Sequence, residues 1–342
     1  MAADTQHRKI FVTLGMFIID DFEFLDTNGK PTGENRDPQI GGGGTYAACG
    51  ARIWLSPHNI GMVIDRGHDF PPDVQGVLDA LGGNDMFFFR DDSSRRTTRA
   101  VNRYTGDLRG FDYTTPRVRI TPQDTLGTPL ELARMLHFIC SPKRAAEILG
   151  EVTQIAGWVP KTIYEPIPDR CIPEELPALV AILPQVSILS PNADEALSLL
   201  SLPSPPTKEL IEQAASTFLE HGTRDAVIIR SGAMGAYVLT RSRALWVPAF
   251  WSAHDLERVV DVTGAGNAFL GGLAAGLHLS DGDVFEATLY ASVSAAFTIE
   301  QGGLPQLTGL HFRTGQGEMW NNDMPQRRLK ELRGRVPEFV SA

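Results

Sequence analysis

Gly264, Ala265, Gly266 and Asn267 set three residues too small to shield their backbone against an amide side chain, just where a small-residue helix (AFLGG) begins. Successive N–H groups in such a turn, backed by the positive end of a helix, bind an anion, and a phosphate fits them well. Asn267 itself is no base at physiological pH, because an amide only donates and accepts hydrogen bonds. A second glycine turn, Ser231-Gly232-Ala233-Met234-Gly235, sits between the apolar runs VIIR and AYV. A third, Gly41–Gly44, leads into Thr45–Leu55, and four glycines entering a helix imply close backbone approach. Asn192 and Glu195 stand three apart, on one side of a helix's first turn. That spacing satisfies a capping box, and beside a phosphate it would equally organise metal-bound water.

The elements that position these residues follow from the apolar pattern. Ile10–Ile19 reads as one continuous strand buried on both faces, ending at Asp20. Asp26–Asp37 is turn-rich, and Thr97–Tyr113 alternates as a hairpin split at Thr105-Gly106-Asp107. Beyond it strands and helices alternate: Met135–Ile139 then Lys143–Gly150, Thr162–Tyr164 then Pro173–Ile182, Val186–Leu189 then Ala193–Leu200, and Lys208–His221 then Ala226–Arg230. Such alternation predicts a parallel sheet covered by helices, with ligands beyond the carboxyl ends of its strands.

Composition narrows the partners. The 342 residues carry a formal net charge of -10, which disfavours a nucleic-acid backbone or an anionic membrane as the main partner. Cys49, Cys140 and Cys171 lack metal-ligand spacing and read as reduced core thiols. The eight histidines are isolated. No apolar run reaches the length of a membrane span, so the expected location is cytoplasmic, with the nucleus as the other candidate.

From Ile10 to about Pro305 the order and spacing of these motifs resemble the ribokinase-like (PfkB) carbohydrate and nucleoside kinases. Gly15–Asp20 looks like that family's opening strand, GGGGTYAA (Gly41–Ala48) like its first signature, and Asn192–Glu195 like NxxE. DVTGAGN (Asp261–Asn267) matches the DTxGAGD motif in six of seven letters, counting the variable one. The resemblance implies a single α/β domain over 1–342, a three-layer sandwich with a mostly parallel central sheet and a small β-lid at about 21–41 and 97–115. It further implies ATP and Mg²⁺, with Asp20, Gly41, Gly42 and residue 46 on the substrate. Asn192, Glu195, Ser231, Gly232 and Gly235 would serve the nucleotide and its phosphates. Asp261 and Thr263, with carbonyls near Phe297–Gly302, would hold a monovalent cation such as K⁺. Lids of this family sometimes pair, which adds a homodimer to the expectations.

Two positions depart from the family. Tyr46 stands where an Asn usually contacts the sugar, so it fills part of the pocket or offers a stacking face. Asn267 stands at the catalytic base, whose loss typically costs ~10²–10⁴ in rate. Asp20 and Asp65 are the alternative carboxylates. GGGGTYA together with GAGN resembles a fungal branch of the family, named for maintenance of a killer double-stranded RNA. Two functions of different class follow: a kinase acting on a hydroxyl of a sugar-like or nucleoside-like molecule, or a degenerate kinase that binds nucleotide or sugar-like ligand in a regulatory or structural role. The basic run Ser94–Arg103 reads either as a lid reaching a phosphate or as a solvated strand face.

Overall fold

The apolar run at the start of the chain is not one strand. The computed structural model describes residues 8–105, 108–310 and 317–340. In it the run divides into β1 (Phe11–Thr13) and β2 (Ile18–Leu25), which belong to different sheets. The break has a local cause. Thr13 Oγ1 accepts the Gly15 N–H at 3.0 Å, and Gly15 presses so closely on Gly44 that a side chain at 15 would lie 2.5 Å from the Gly44 nitrogen. The chain leaves the first sheet there and enters the second.

β3 (Gln39–Gly41) and α1 (Gly43–Arg52) follow, then β4 (Ile60–Gly67), α2 (Pro72–Leu81), β5 (Phe87–Asp92), β6 (Arg99–Thr105) and β7 (Leu108–Tyr113). Helix α1 starts inside the glycine run and stops at Arg52, three residues short of the expected end. Next come β8 (Met135–Cys140), α3 (Pro142–Gln154), β9 (Lys161–Pro166), α4 (Leu176–Ile182), β10 (Ile188–Leu189), α5 (Ala193–Leu199), α6 (Lys208–Glu220) and β11 (Ala226–Arg230). The segment from Pro173 opens as a 3₁₀ turn, Pro173–Glu175, before α4 begins. β12 (Ala236–Leu239), β13 (Ala244–Val247), α7 (Ala265–Leu279), α8 (Val284–Ile299), β14 (Leu307–Leu310), β15 (Glu318–Trp320), α9 (Pro325–Arg333) and α10 (Pro337–Val340) complete the order.

Nine strands form the main sheet, in the order β13-β12-β11-β10-β9-β8-β1-β4-β5. β12 and β13 run antiparallel and the rest pair in parallel. Alternate residues of each strand feed two cores. Phe11, Met135, Ile163 and Ile228 face α1, α7 and α8, while Val12, Leu136, Tyr164 and Val227 face α3–α6. Helix, sheet and helix thus make a three-layer ribokinase-like α/β sandwich. Burying each of these large apolar side chains contributes about 1.5–3 kcal/mol.

A second sheet, β3-β2-β6-β7, takes in 21–25 and 39–41 of the segment 21–41, and 99–105 and 108–113 of the segment 97–115. The hairpin tip Gly106-Asp107 lies outside the described residues. Carboxylates absorb the arginines of its basic run: Arg95 meets Asp65 and Asp92, Arg96 meets Asp69, Arg99 meets Asp21 and Asp69, and Arg103 meets Glu23 and Asp112. Its arginines are paired throughout, in the loop before β6 and along β6 itself. Asp65 is likewise paired, with Arg90 at 2.8 and 2.9 Å.

The three cysteines are buried and in no disulfide. Burial pushes the Cys49 and Cys140 thiols up to about 12, which makes them poor nucleophiles. Among the described residues, no helix is long and apolar enough to cross a membrane.

Candidate active site

Small residues seat α7 deep in the fold. A side chain at Gly271 would sit 1.8 Å from the Ala47 carbonyl oxygen, so α7 lies directly on α1. That packing carries the Gly264–Gly266 turn to the carboxyl ends of the parallel strands. Gly264 caps α7 with φ of 78°, a left-handed conformation that other residues resist. The ring of Tyr46 covers it closely: a side chain at 264 would lie 2.3 Å from the ring carbons. Tyr46 is buried, so its aromatic face serves as packing beneath the turn.

A cavity of about 690 Å³ opens there, and Asp20, Gly42, Tyr46, Thr263, Gly264 and Asn267 all line it. Asp20 leans over Gly41, where a side chain would meet its Oδ2 at 1.9 Å. Asn192, Glu195, Ser231, Gly232 and Gly235 do not line this cavity. Asn192 and Glu195 form the full capping box of α5, each accepting from the other's backbone at 2.7 and 2.8 Å. Ser231–Gly235 closes a tight turn in which the Ser231 N–H donates to Gly235 O at 2.7 Å. Gly232 in that turn faces open space.

Beneath Asn267 lies a buried charged cluster. Asn267 Nδ2 donates to Glu165 Oε2 at 2.7 Å. A carboxylate only accepts, so the amide nitrogen must face it. The amide Oδ1 then has no hydrogen-bond partner among the described residues, on a side chain that lines the cavity. Glu165, at the end of β9, also takes Arg230 Nη2 on its Oε1 at 2.7 Å. Its Oε2 lies 3.9 Å from His137 Nε2, and His137 Nδ1 is 2.9 Å from Thr13 Oγ1. Burial opposes the charge of Glu165, but Arg230 and His137 outweigh it and hold the carboxyl below its ordinary range.

Arg230, at the end of β11, ties this cluster to the capping box. Its Nη2 donates to Ser190 O at 3.0 Å and lies 3.6 Å from Glu195 Oε2. Its Nη1 lies against Gly266, 2.0 Å from where a side chain there would begin. Burial lifts the Glu195 carboxyl to about 7, with Arg230 opposing and Glu165 adding to the rise. Glu165, Arg230 and His137 escaped the motif search. Their one signal was a charged or polar residue inside an otherwise apolar strand, as in TIYEP and VIIR.

The donors test the expected ions. Among the described residues, no three His, Cys, Asp or Glu side chains gather into a metal cage. Glu195 is committed to Asn192 and lies near Arg230, so it would reach a divalent ion only through water. At the monovalent position, Ile299 O already accepts the Val260 and Asp261 N–H groups at 2.7 and 3.2 Å, and Phe297 O accepts Asn321 and Gln301. Asp261 holds the Thr263 N–H at 2.9 Å.

Known proteins share this fold. Residues 138–306 match the model of the pfkB family carbohydrate kinases. An uncharacterized protein of Schizosaccharomyces pombe is 33% identical, covering 94% of this chain and 92% of its own. Protein MAK32 of Saccharomyces cerevisiae is 32% identical, covering 88% and 87%. The solved ribokinase of Giardia lamblia superposes with a TM-score of 0.68 at 18% identity, over 87% of this chain and 96% of that one. With the three-layer fold and the glycine turn in place, these likenesses make the chain a member of the pfkB family of carbohydrate kinases.

Proposed function

We propose that this protein is an ATP-dependent phosphotransferase whose acceptor is a hydroxyl on a sugar-like or nucleoside-like molecule. The observation that carries the reading is the bond from Asn267 to Glu165, which fixes the amide and leaves its Oδ1 toward the cavity, next to the glycine turn. In this role Asn267 accepts a hydrogen bond from the acceptor hydroxyl and aims its oxygen. The N–H groups of Gly264 and Gly266 neutralise charge on the phosphoryl group, the Ala265 N–H being taken by Val262 O at 3.2 Å, and Asp20 holds further substrate hydroxyls. Ser231, Gly232 and Gly235 serve the nucleotide. Mg²⁺, when bound, supplies charge neutralisation at the phosphates, with Glu195 reaching it through water. A monovalent cation would rest on Asp261, Thr263 and the carbonyls not already taken. The hydroxyl proton leaves to solvent, since Asn267 cannot take it. Phosphoryl transfer tolerates this because positioning and charge neutralisation dominate its catalysis.

The same bond supports a second reading. An amide at 267, locked to Glu165, cannot itself act as a general base, as in a protein that binds nucleotide or sugar-like ligand without turnover. One comparison separates the two. Native protein and Asn267→Asp are incubated with Mg-ATP and a panel of sugars and nucleosides, and ADP release and ATP affinity are measured. Turnover by the native protein establishes the kinase. ATP binding by both with turnover confined to the variant, a gain of ~10²–10⁴, establishes the ligand-binding protein.

A further inference from the structure

The last turn of α8 presents carbonyls that a helix leaves without internal donors, at the negative end of the helix dipole. Such a place takes either a cation or donors from elsewhere in the chain. Here the chain supplies donors. Phe297 O accepts Asn321 Nδ2 and Gln301 Nε2, both at 2.9 Å. Gln301 Nε2 also reaches Thr298 O at 3.0 Å, and Ile299 O holds the Val260 and Asp261 N–H groups. Three successive carbonyls, in the segment expected to face a monovalent ion, are thereby satisfied.

Asn321 follows β15, beyond the residues 138–306 that match the family model. Its Oδ1 accepts the Gln306 N–H at 2.9 Å, and its own N–H donates to Gln306 O at 2.8 Å. A backbone N–H needs an acceptor, so Oδ1 must face Gln306 and Nδ2 must face α8. Nδ2 then meets three oxygens: Phe297 O at 2.9 Å, Glu300 Oε2 at 3.1 Å and Gln301 Oε1 at 2.7 Å. Three oxygens around one nitrogen resemble the surroundings of an ion, whose hydration shell such oxygens replace. The Asn321 φ of 48° is left-handed, a conformation asparagine enters more readily than most residues. Positive charge comes from the buried Arg328 of α9, which pairs with Glu300 and lies over the Phe297 ring at 3.7 Å.

We propose that Asn321, backed by Arg328, does at the end of α8 the work of a monovalent cation, so that nucleotide binding is indifferent to K⁺. The inference rests on the ATP binding proposed above. Ile299 O fixes the Asp261 N–H, Asp261 Oδ1 fixes the Thr263 N–H at 2.9 Å, and Gly264 follows. The glycine turn is thus tied to α8 by direct hydrogen bonds. The oxygens left over, on Asp261, Thr263 and the carbonyls not taken, form a partial shell, and an ion there keeps much of its water and binds weakly.

The test measures Mg-ATP affinity by calorimetry, and the thermal unfolding midpoint, in chlorides of K⁺, Na⁺ and tetramethylammonium at equal ionic strength. Native protein is expected to bind ATP within about threefold in all three salts and to unfold at one temperature. Asn321→Ala removes the donor and uncovers its three oxygens. It is expected to bind ATP about tenfold or more weakly in tetramethylammonium and to recover in K⁺. Its midpoint should stand about 2 °C or more higher in K⁺. Asn321→Asp keeps the shape but turns the donor into an acceptor; it is expected to depend on K⁺ more strongly, and it serves if the first variant does not fold. Native affinity that K⁺ raises by more than about threefold would overturn the proposal. So would variants as indifferent as the native protein, or a loss of binding or folding that no cation repairs, since either leaves Asn321 a helix cap. Failure of ATP to bind in every salt would remove the nucleotide reading, and the unfolding midpoints of native protein and variants would still decide this one.

Discussion

The amide of Asn267 and the carboxylate of Glu165 meet at 2.7 Å, although 102 residues separate them in sequence. This contact fixes how position 267 responds to change. Asn267→Asp places a second carboxyl against the first, and two such groups cannot both ionise cheaply, so their shared proton is held to higher pH. A carboxyl pKa raised by folding contributes stability below its unfolded value, lost as pH climbs through the folded one. Asn267→Asp is therefore expected to lose about 1–3 kcal/mol relative to the native protein at pH 8 and less at pH 5. Adding Glu165→Gln should flatten that pH dependence. Urea denaturation across this range measures both, and a pH-independent loss in the single variant would remove the carboxylate contact from the account.

Glu195 gives a second pH signature in the unmodified chain. Its folded pKa of about 7 stands above the ordinary 4.5, chiefly through burial. The folded protein thus holds a proton that the unfolded chain releases, and stability from this group declines as pH rises from 4.5 through 7. Glu195→Gln keeps the side-chain volume but cannot titrate. The native-minus-variant difference in unfolding free energy is expected to fall by ~1–3 kcal/mol between pH 5 and pH 8. A flat difference would show that Glu195 titrates normally.

Gly264 and Tyr46 are coupled through direct packing. Gly264→Ala must adopt φ of 78° and press a methyl group into the ring. The backbone cost is about 1–2 kcal/mol, before the clash is counted. Tyr46→Ala alone removes a buried ring, at about 3–5 kcal/mol. In the double variant the clash is gone, so the combined loss is expected to fall short of the sum by ~1 kcal/mol or more. Strict additivity in chemical denaturation would refute the contact.

The sequence made the layers readable because period and length discriminate well for β8, β9 and β11, which lie in apolar runs bounded by turns. It misread Ile10–Ile19, since an apolar run carries no mark of a strand that changes sheets. That break depends on Gly15 meeting Gly44 and on Thr13 Oγ1 holding Gly15, contacts that only the folded chain makes. The glycine turns were legible because backbone access needs small residues wherever it occurs. The cluster under Asn267 was not, because Glu165, Arg230 and His137 come from three strands. Each alone is one polar residue in an apolar run, and the meaning arises from their meeting.

Arg230 is the member of that cluster whose loss should matter most. Its guanidinium serves Glu165 at 2.7 Å, approaches Glu195 at 3.6 Å, and packs on Gly266 beneath the glycine turn. Arg230→Met takes the guanidinium away from both buried carboxyls, Glu165 and Glu195. Breaking a buried pair in this way typically costs about 3–5 kcal/mol, much of it from the uncompensated charge that remains. Removing that charge as well should recover part of the loss, so Arg230→Met/Glu165→Gln is expected to be more stable than Arg230→Met alone by ~1 kcal/mol or more. Guanidinium denaturation of the native protein, both single variants and the double completes the cycle. If the double is as unstable as the two singles combined, the pair is not coupled, and Arg230 acts only by filling space beneath the turn.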